Sequence, residues 1–76
     1  MAEHIEQGQA YLARFGDKLR RLRLERKLTQ DQLAKRAGLH RTFIGQLELG
    51  RRGVNLAALP RLAQALNLDD PRDLLP

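Results

Sequence analysis

Apolar residues return every three or four positions along most of this chain, in stretches broken by glycine and polar clusters. From Tyr11 to about Arg26, Leu12, Phe15, Leu19 and Leu22 fall on one stripe while Arg and Lys occupy the other faces, the pattern of an amphipathic helix turned toward a core. A second helix opens at Gln30. There Thr29 can cap the backbone N–H three residues on, and Gln32 at that third position can reach back. Leu33, Ala34 and Ala37 point inward, and Gly38, suited to the left-handed conformation, ends the helix. Past Gly38, Leu39 and His40 a third periodic stretch starts at Arg41, turns Ile44 and Leu47 inward and stops at Gly50, with His40 as a weak cap.

Beyond the basic loop Arg51-Arg52-Gly53, the segment Leu56 to Leu66 aligns Leu59, Leu62, Ala63 and Leu66 on one face behind Asn55 as its cap. Pro60 lies near its first turn, where a missing N–H costs little. Asp70 as cap, Pro71 at the first helical position and Asp73 in the first turn predict a short fifth helix ending in Leu74 and Leu75. The first nine residues are polar and end near Gly8, so they read as an arm or a short helical extension. The pattern predicts an all-α protein of five helices, with residues 1–14 as the extension and 15–76 as the folded domain. Two short helices joined by a three-residue turn containing Gly form a helix-turn-helix, at helices 2 and 3.

Composition agrees with helices. Only three residues are aromatic (Tyr11, Phe15, Phe43), and the apolar residues are mostly Leu and Ala. A chain of 76 residues has room for one small core, burying roughly 60% of its unfolded surface. With no cysteine there are no disulfides, so packing must hold the fold, and a reducing cytoplasm is the expected setting. No apolar run is long enough to span a bilayer, and Met1-Ala2-Glu3-His4 lacks the order of a signal peptide, so a soluble, unexported protein is expected.

The net charge is +5, and its placement says more than its sum. Residues 14–52 hold twelve of the fourteen basic residues against four acids, whereas the flanks are net acidic. Such a block attracts a polyanion to one region. Enzyme and metal chemistry lack their parts: the chain has no Ser and no Cys, His4 and His40 lie far apart, and no Gly-rich phosphate loop is present. No cofactor is expected.

Residues 28–52, L-T-Q-D-Q-L-A-K-R-A-G-L-H-R-T-F-I-G-Q-L-E-L-G-R-R, resemble the helix-turn-helix of the phage lambda repressor and Cro family. Gln30, Ala34, Gly38, Ile44, Glu48 and Gly50 fall at the family's spacing, and R-T-F-I-G-Q-L-E is especially similar to controller proteins of restriction-modification systems. The resemblance runs from about Phe15 to Leu75. It implies a cro/C1-type domain that binds double-stranded DNA as a homodimer, with the third helix entering the major groove by its N-terminal end.

Physical chemistry then suggests roles for single residues. Arg41 can fork onto guanine, Thr42 can offer a hydroxyl or meet a thymine methyl, and Gln46 can pair with adenine. Gly45 between them would let the helix approach the groove floor. Phosphate contacts would fall to Gln30 at the start of helix 2 and to Arg51, Arg52 and Asn55 around the start of helix 4. In the resembled family the positions of Arg23 and Glu48 often form an ion pair that sets the tilt of the recognition helix. Phe43 is expected to pack near Val54, and Leu49 stands where relatives often carry a polar residue.

The leucines Leu56, Leu59, Leu62, Leu66, Leu68, Leu74 and Leu75 exceed what so small a core can cover, which points to a C-terminal dimer face. A contact with RNA polymerase would fall to helix 2 or helix 3. A restriction-modification controller is the first reading; a prophage repressor, an antitoxin, or an interaction module that has lost DNA binding are the alternatives.

Overall fold

A computed structural model describes residues 2–76, with side chains from residue 8 onward. The described residues form four α-helices, α1 (Ala2–Glu25), α2 (Gln30–Ala37), α3 (Arg41–Glu48) and α4 (Ala58–Ala65), then one 3-10 turn over Pro71–Leu74, with no strand. The all-helical class is as expected, but the fifth helix is not an α-helix. Asp70 caps it by accepting from the Arg72 N–H at 2.9 Å, and the bonds Asp73 N–H to Asp70 C=O and Leu75 N–H to Arg72 C=O are of the tighter three-residue kind. Pro76 pushes Leu75 into extended backbone (ψ 145°), so no second turn follows. At this turn the Arg72 guanidinium, 2.7 Å from the Asp70 carboxylate, holds that carboxyl below its usual range, and Asp70 in turn raises Arg72.

Two other boundaries move. α1 starts at Ala2 rather than Tyr11, so of the two forms expected for residues 2–10 they take the helical one, continuous with the first helix. Ala2, Glu3, Glu6, Gln7, Gln9 and Ala10 are good helix formers, and the single Gly8 costs only about 1 kcal/mol against them. α4 begins at Ala58 instead of Leu56. Asn55 is still the capping side chain, its Oδ1 accepting from the Ala58 N–H at 2.7 Å, with Leu56 and Ala57 in the turn that leads in.

The core gathers Phe15 and Leu19 of α1, Leu33, Ala34 and Ala37 of α2, Ile44 and Leu47 of α3, Leu62, Ala65 and Leu66 of and after α4, and Leu74. The C-terminal leucines are thus largely consumed within one chain. Leu62, Leu66 and Leu74 are fully buried, Leu59, Leu68 and Leu75 are partly buried, and only Leu56 stands out, 88% exposed. The excess of apolar surface that the sequence suggested is therefore much smaller than expected.

Charged side chains of α1 and of the turn after it close the C-terminal half onto α1. Lys18 Nζ donates to the Leu75 carbonyl at 2.7 Å, and Arg26 Nε donates to the Leu66 carbonyl. Three of the basic residues that suggested a polyanion site, Lys18, Arg23 and Arg26, are spent on internal contacts.

Every α-helix ends the same way. A residue in the left-handed conformation donates three residues back, and the residue after it donates five back: Lys27 and Leu28 after α1, Gly38 and Leu39 after α2, Gly50 and Arg51 after α3, Asn67 and Leu68 after α4. Gly38 and Gly50 adopt this at no steric cost, but Lys27 (φ 56°) does not. Lys27→Gly is expected to stabilise the fold by about 1 kcal/mol, a rise in Tm of roughly 4–8 °C for a domain of this size. A melt that does not rise would show that Lys27 is unstrained at this turn.

Candidate nucleic-acid interface

The sequence of α2 explains how its start is held. Thr29 Oγ1 accepts from the Gln32 N–H at 3.1 Å while the Gln32 side chain accepts from the Thr29 N–H at 2.9 Å. Gly38, Leu39 and His40 then turn the chain, and His40 Nδ1 accepts from the Thr42 N–H at 3.0 Å to cap α3. With Ile44, Leu47 and Glu48 buried, α3 presents its opposite side. Arg41 and Thr42 there are exposed, and Gly45 and Gln46 are half-buried. A Cβ built on Gly45 would meet only the Gln30 amide, at 3.7 Å, so the fold itself does not require glycine.

Around this face lie the residues proposed for phosphate. Arg51, Arg52 and Asn55 are exposed on the loop that leaves α3. Arg52 stacks its guanidinium over the Phe43 ring, 5.0 Å from the centroid, and reaches Gln46 Oε1 at 3.5 Å. Phe43 is half-buried and, like Val54, packs on the core. Asn55 has committed its Oδ1 to capping α4 and keeps its amide N–H groups. Gln30 is turned partly inward, its Nε2 donating to Glu48 Oε1 at 3.1 Å. Leu49 is 66% exposed at the end of α3.

Beneath the face sits the one buried ion pair among the described residues. Arg23 of α1 meets Glu48 of α3 through two parallel bonds, Nε to Oε2 at 2.6 Å and Nη2 to Oε1 at 3.0 Å. Its third nitrogen, Nη1, donates to the Leu28 carbonyl at 2.7 Å. Each residue is only 7% exposed. A buried charge is tolerable only when its polar atoms are paired, and here Glu48 binds both Arg23 and Gln30. The network joins α1, the turn before α2, the start of α2 and the end of α3.

Sequence reasoning overlooked two contributors. Lys27 lines a shallow groove with Thr29, Gln30, Asp31 and Arg41, which its place in a turn between helices had concealed. Gly16 touches the backbone of α3, and a lone glycine inside a helix whose neighbours suit helices well is the signal that marks such a contact.

A model of the helix-turn-helix domain matches residues 14–75. The chain belongs to this helix-turn-helix family. The control protein C.BamHI of Bacillus amyloliquefaciens is 40% identical over 62 residues, which span 80% of this chain and 75% of that one. The control protein C.SmaI of Serratia marcescens is 45% identical over 58 residues, 76% of this chain and 69% of that one. Among solved structures, the restriction-modification controller protein C.AhdI of Aeromonas hydrophila superposes with a TM-score of 0.83 at 42% identity, covering 87% of this chain and 98% of that one. The helix-turn-helix unit is α2, its turn and α3.

Removing one partner of the pair strands a charge in this unit's core. Arg23→Ala is expected to cost about 3–5 kcal/mol, whereas the apolar double variant Arg23→Met, Glu48→Leu is expected to cost much less. Urea unfolding of both decides it; an Arg23→Ala protein with the parent's midpoint would show the pair to be idle.

Proposed function

We infer that the protein is a DNA-binding transcription regulator, not an enzyme, and specifically a restriction-modification controller acting in the cytoplasm as a homodimer. The observation that carries the reading is the exposed polar side of α3, flanked by basic residues, in a chain that aligns with a controller protein along nearly that protein's whole length. Arg41, Thr42 and Gln46 read bases in the major groove; Gln30, Arg51, Arg52 and Asn55 hold phosphates. Two copies place their recognition helices about 34 Å apart on a pseudo-palindromic site. Leu56, exposed near the half-buried Leu59, contributes to the dimer contact, and a polymerase contact falls to α2 or to the part of α3 outside the groove. Neighbouring genes for a methyltransferase and an endonuclease would support this reading over a prophage repressor or an antitoxin.

Reading and clamping separate experimentally, because base contacts carry sequence preference while phosphate contacts carry salt-dependent affinity. Arg41→Ala is expected to lose about 1–3 kcal/mol on a selected site and to relax preference at one base pair per half-site. Arg51→Ala is expected to weaken selected and random DNA alike and to flatten log K against log salt by about two units per symmetric dimer. Titrations on both DNAs at several salt concentrations check both. If Arg41→Ala weakens all sequences equally, Arg41 is a clamp and the reading side is misassigned.

Gly45 gives a separate test. Alanine fits the fold at this position, so Gly45→Ala is expected to stabilise the free protein by about 0.5–1 kcal/mol while weakening its binding to DNA. Raised stability with unchanged binding would mean that the groove floor does not approach residue 45.

A further inference from the structure

Gly16 lies in the middle of α1, among residues that suit a helix far better than glycine does. A Cβ at this position would lie 2.4 Å from the Leu47 carbonyl oxygen, 2.7 Å from the Glu48 carbonyl oxygen and 2.9 Å from the Glu48 carbonyl carbon. All three are backbone atoms of α3, so no side chain can swing aside. One turn earlier the backbone of Ala13 lies 3.0 Å from where a Cβ on Gly50 would sit. Seven residues later on the same face of α1, Arg23 grips the Glu48 side chain. The end of α3 is therefore held by backbone contact at Gly16 and by the ion pair at Arg23.

We propose that Gly16 is a positioning residue for sequence recognition: by letting α1 and the end of α3 touch through their backbones, it sets the pose in which Arg41, Thr42 and Gln46 reach bases. The proposal rests on the assignment of those three residues as base readers. Ordinary van der Waals contact begins at 3.4 Å, so a methyl group at residue 16 pushes the end of α3 away by about 1 Å. The Glu48 side chain stays tethered to Arg23, so the displacement tilts a helix only about 12 Å long. Hydrogen bonds to base edges work within a few tenths of an ångström. Phosphate contacts from the loop at Arg51 and Arg52 tolerate such a change. Gly16→Ala thus removes discrimination and leaves general affinity for DNA largely in place.

The test uses the full chain and a duplex selected from a random pool by the parent. Gly16→Ala is made in the Lys27→Gly background to offset its lost stability and is compared with Lys27→Gly alone, because Lys27 borders Gln30 and Arg41; Leu62→Val is a control that loosens the core at α4 and leaves the α1 to α3 contact untouched. Affinities for the selected and a random duplex are measured for each, with melting curves. The expected result is a fall of at least tenfold in the ratio of selected to random binding for Gly16→Ala, an unchanged salt slope, and a parental ratio for Leu62→Val. An unaltered ratio in a folded Gly16→Ala protein overturns the proposal. So does a Gly16→Ala chain that stays unfolded with and without DNA, because the contact would then serve the core rather than the pose. A parent that selects no sequence from the pool instead refutes the base-reading assignment, independently of Gly16.

Discussion

The buried pair between Arg23 and Glu48 is the constraint on which this small fold turns. An eight-residue helix such as α3 is too short to be stable alone, and its orientation comes from what grips it. Ile44 and Leu47 anchor it by apolar burial, which has little directional content. The fork of Arg23 onto Glu48 is directional, because two parallel bonds fix both the distance and the plane of the carboxylate. The same carboxylate then holds Gln30, so the start of α2 and the end of α3 share one reference point on α1.

Around that point the positive charge divides into two sets with different work. Lys18 and Arg26 end on backbone carbonyls of the C-terminal half, where they satisfy groups that the ends of the last helix and the 3-10 turn leave open. Arg41, Arg51 and Arg52 remain at the surface around α3. Net charge alone suggested one basic surface, yet the fold keeps only part of it available to a polyanion. Even within the surface set, Arg52 leans on Phe43 and Gln46 and so arrives partly ordered, which lowers the entropic cost of any contact it makes.

The helix-turn-helix was legible because its signals are local. Thr29 and Gln32 form a capping box, and Gly38 and Gly50 end helices through a property that belongs to glycine itself. Features that depend on partners distant in sequence were not legible. The leucines near the C-terminus looked surplus because their burial depends on α2 and the 3-10 turn packing against α4. The ending at Lys27 was hidden because the buried Leu28 that follows it, with its carbonyl held by Arg23, fixes the turn around a lysine where glycine would be favoured. Gly16 shows in the sequence only as a glycine among good helix formers, and what it touches appears only when the end of α3 is brought against it. The start of α1 stayed open between an arm and a helical extension for a different reason: one glycine and several polar residues suit either.

If the pair orients the recognition helix, replacing it by well-packed apolar side chains should preserve the fold and loosen the pose. Residual dipolar couplings of the α1 and α3 amides, measured on the parent and on the Arg23→Met, Glu48→Leu protein, report the angle between the two helices directly. The expected result is a folded double variant in which the α3 couplings no longer fit the parent's orientation relative to α1, while those within α1 still do. Couplings that fit one unchanged orientation in both proteins would contradict it, and would assign the pose of α3 to apolar packing and the Gly16 contact alone.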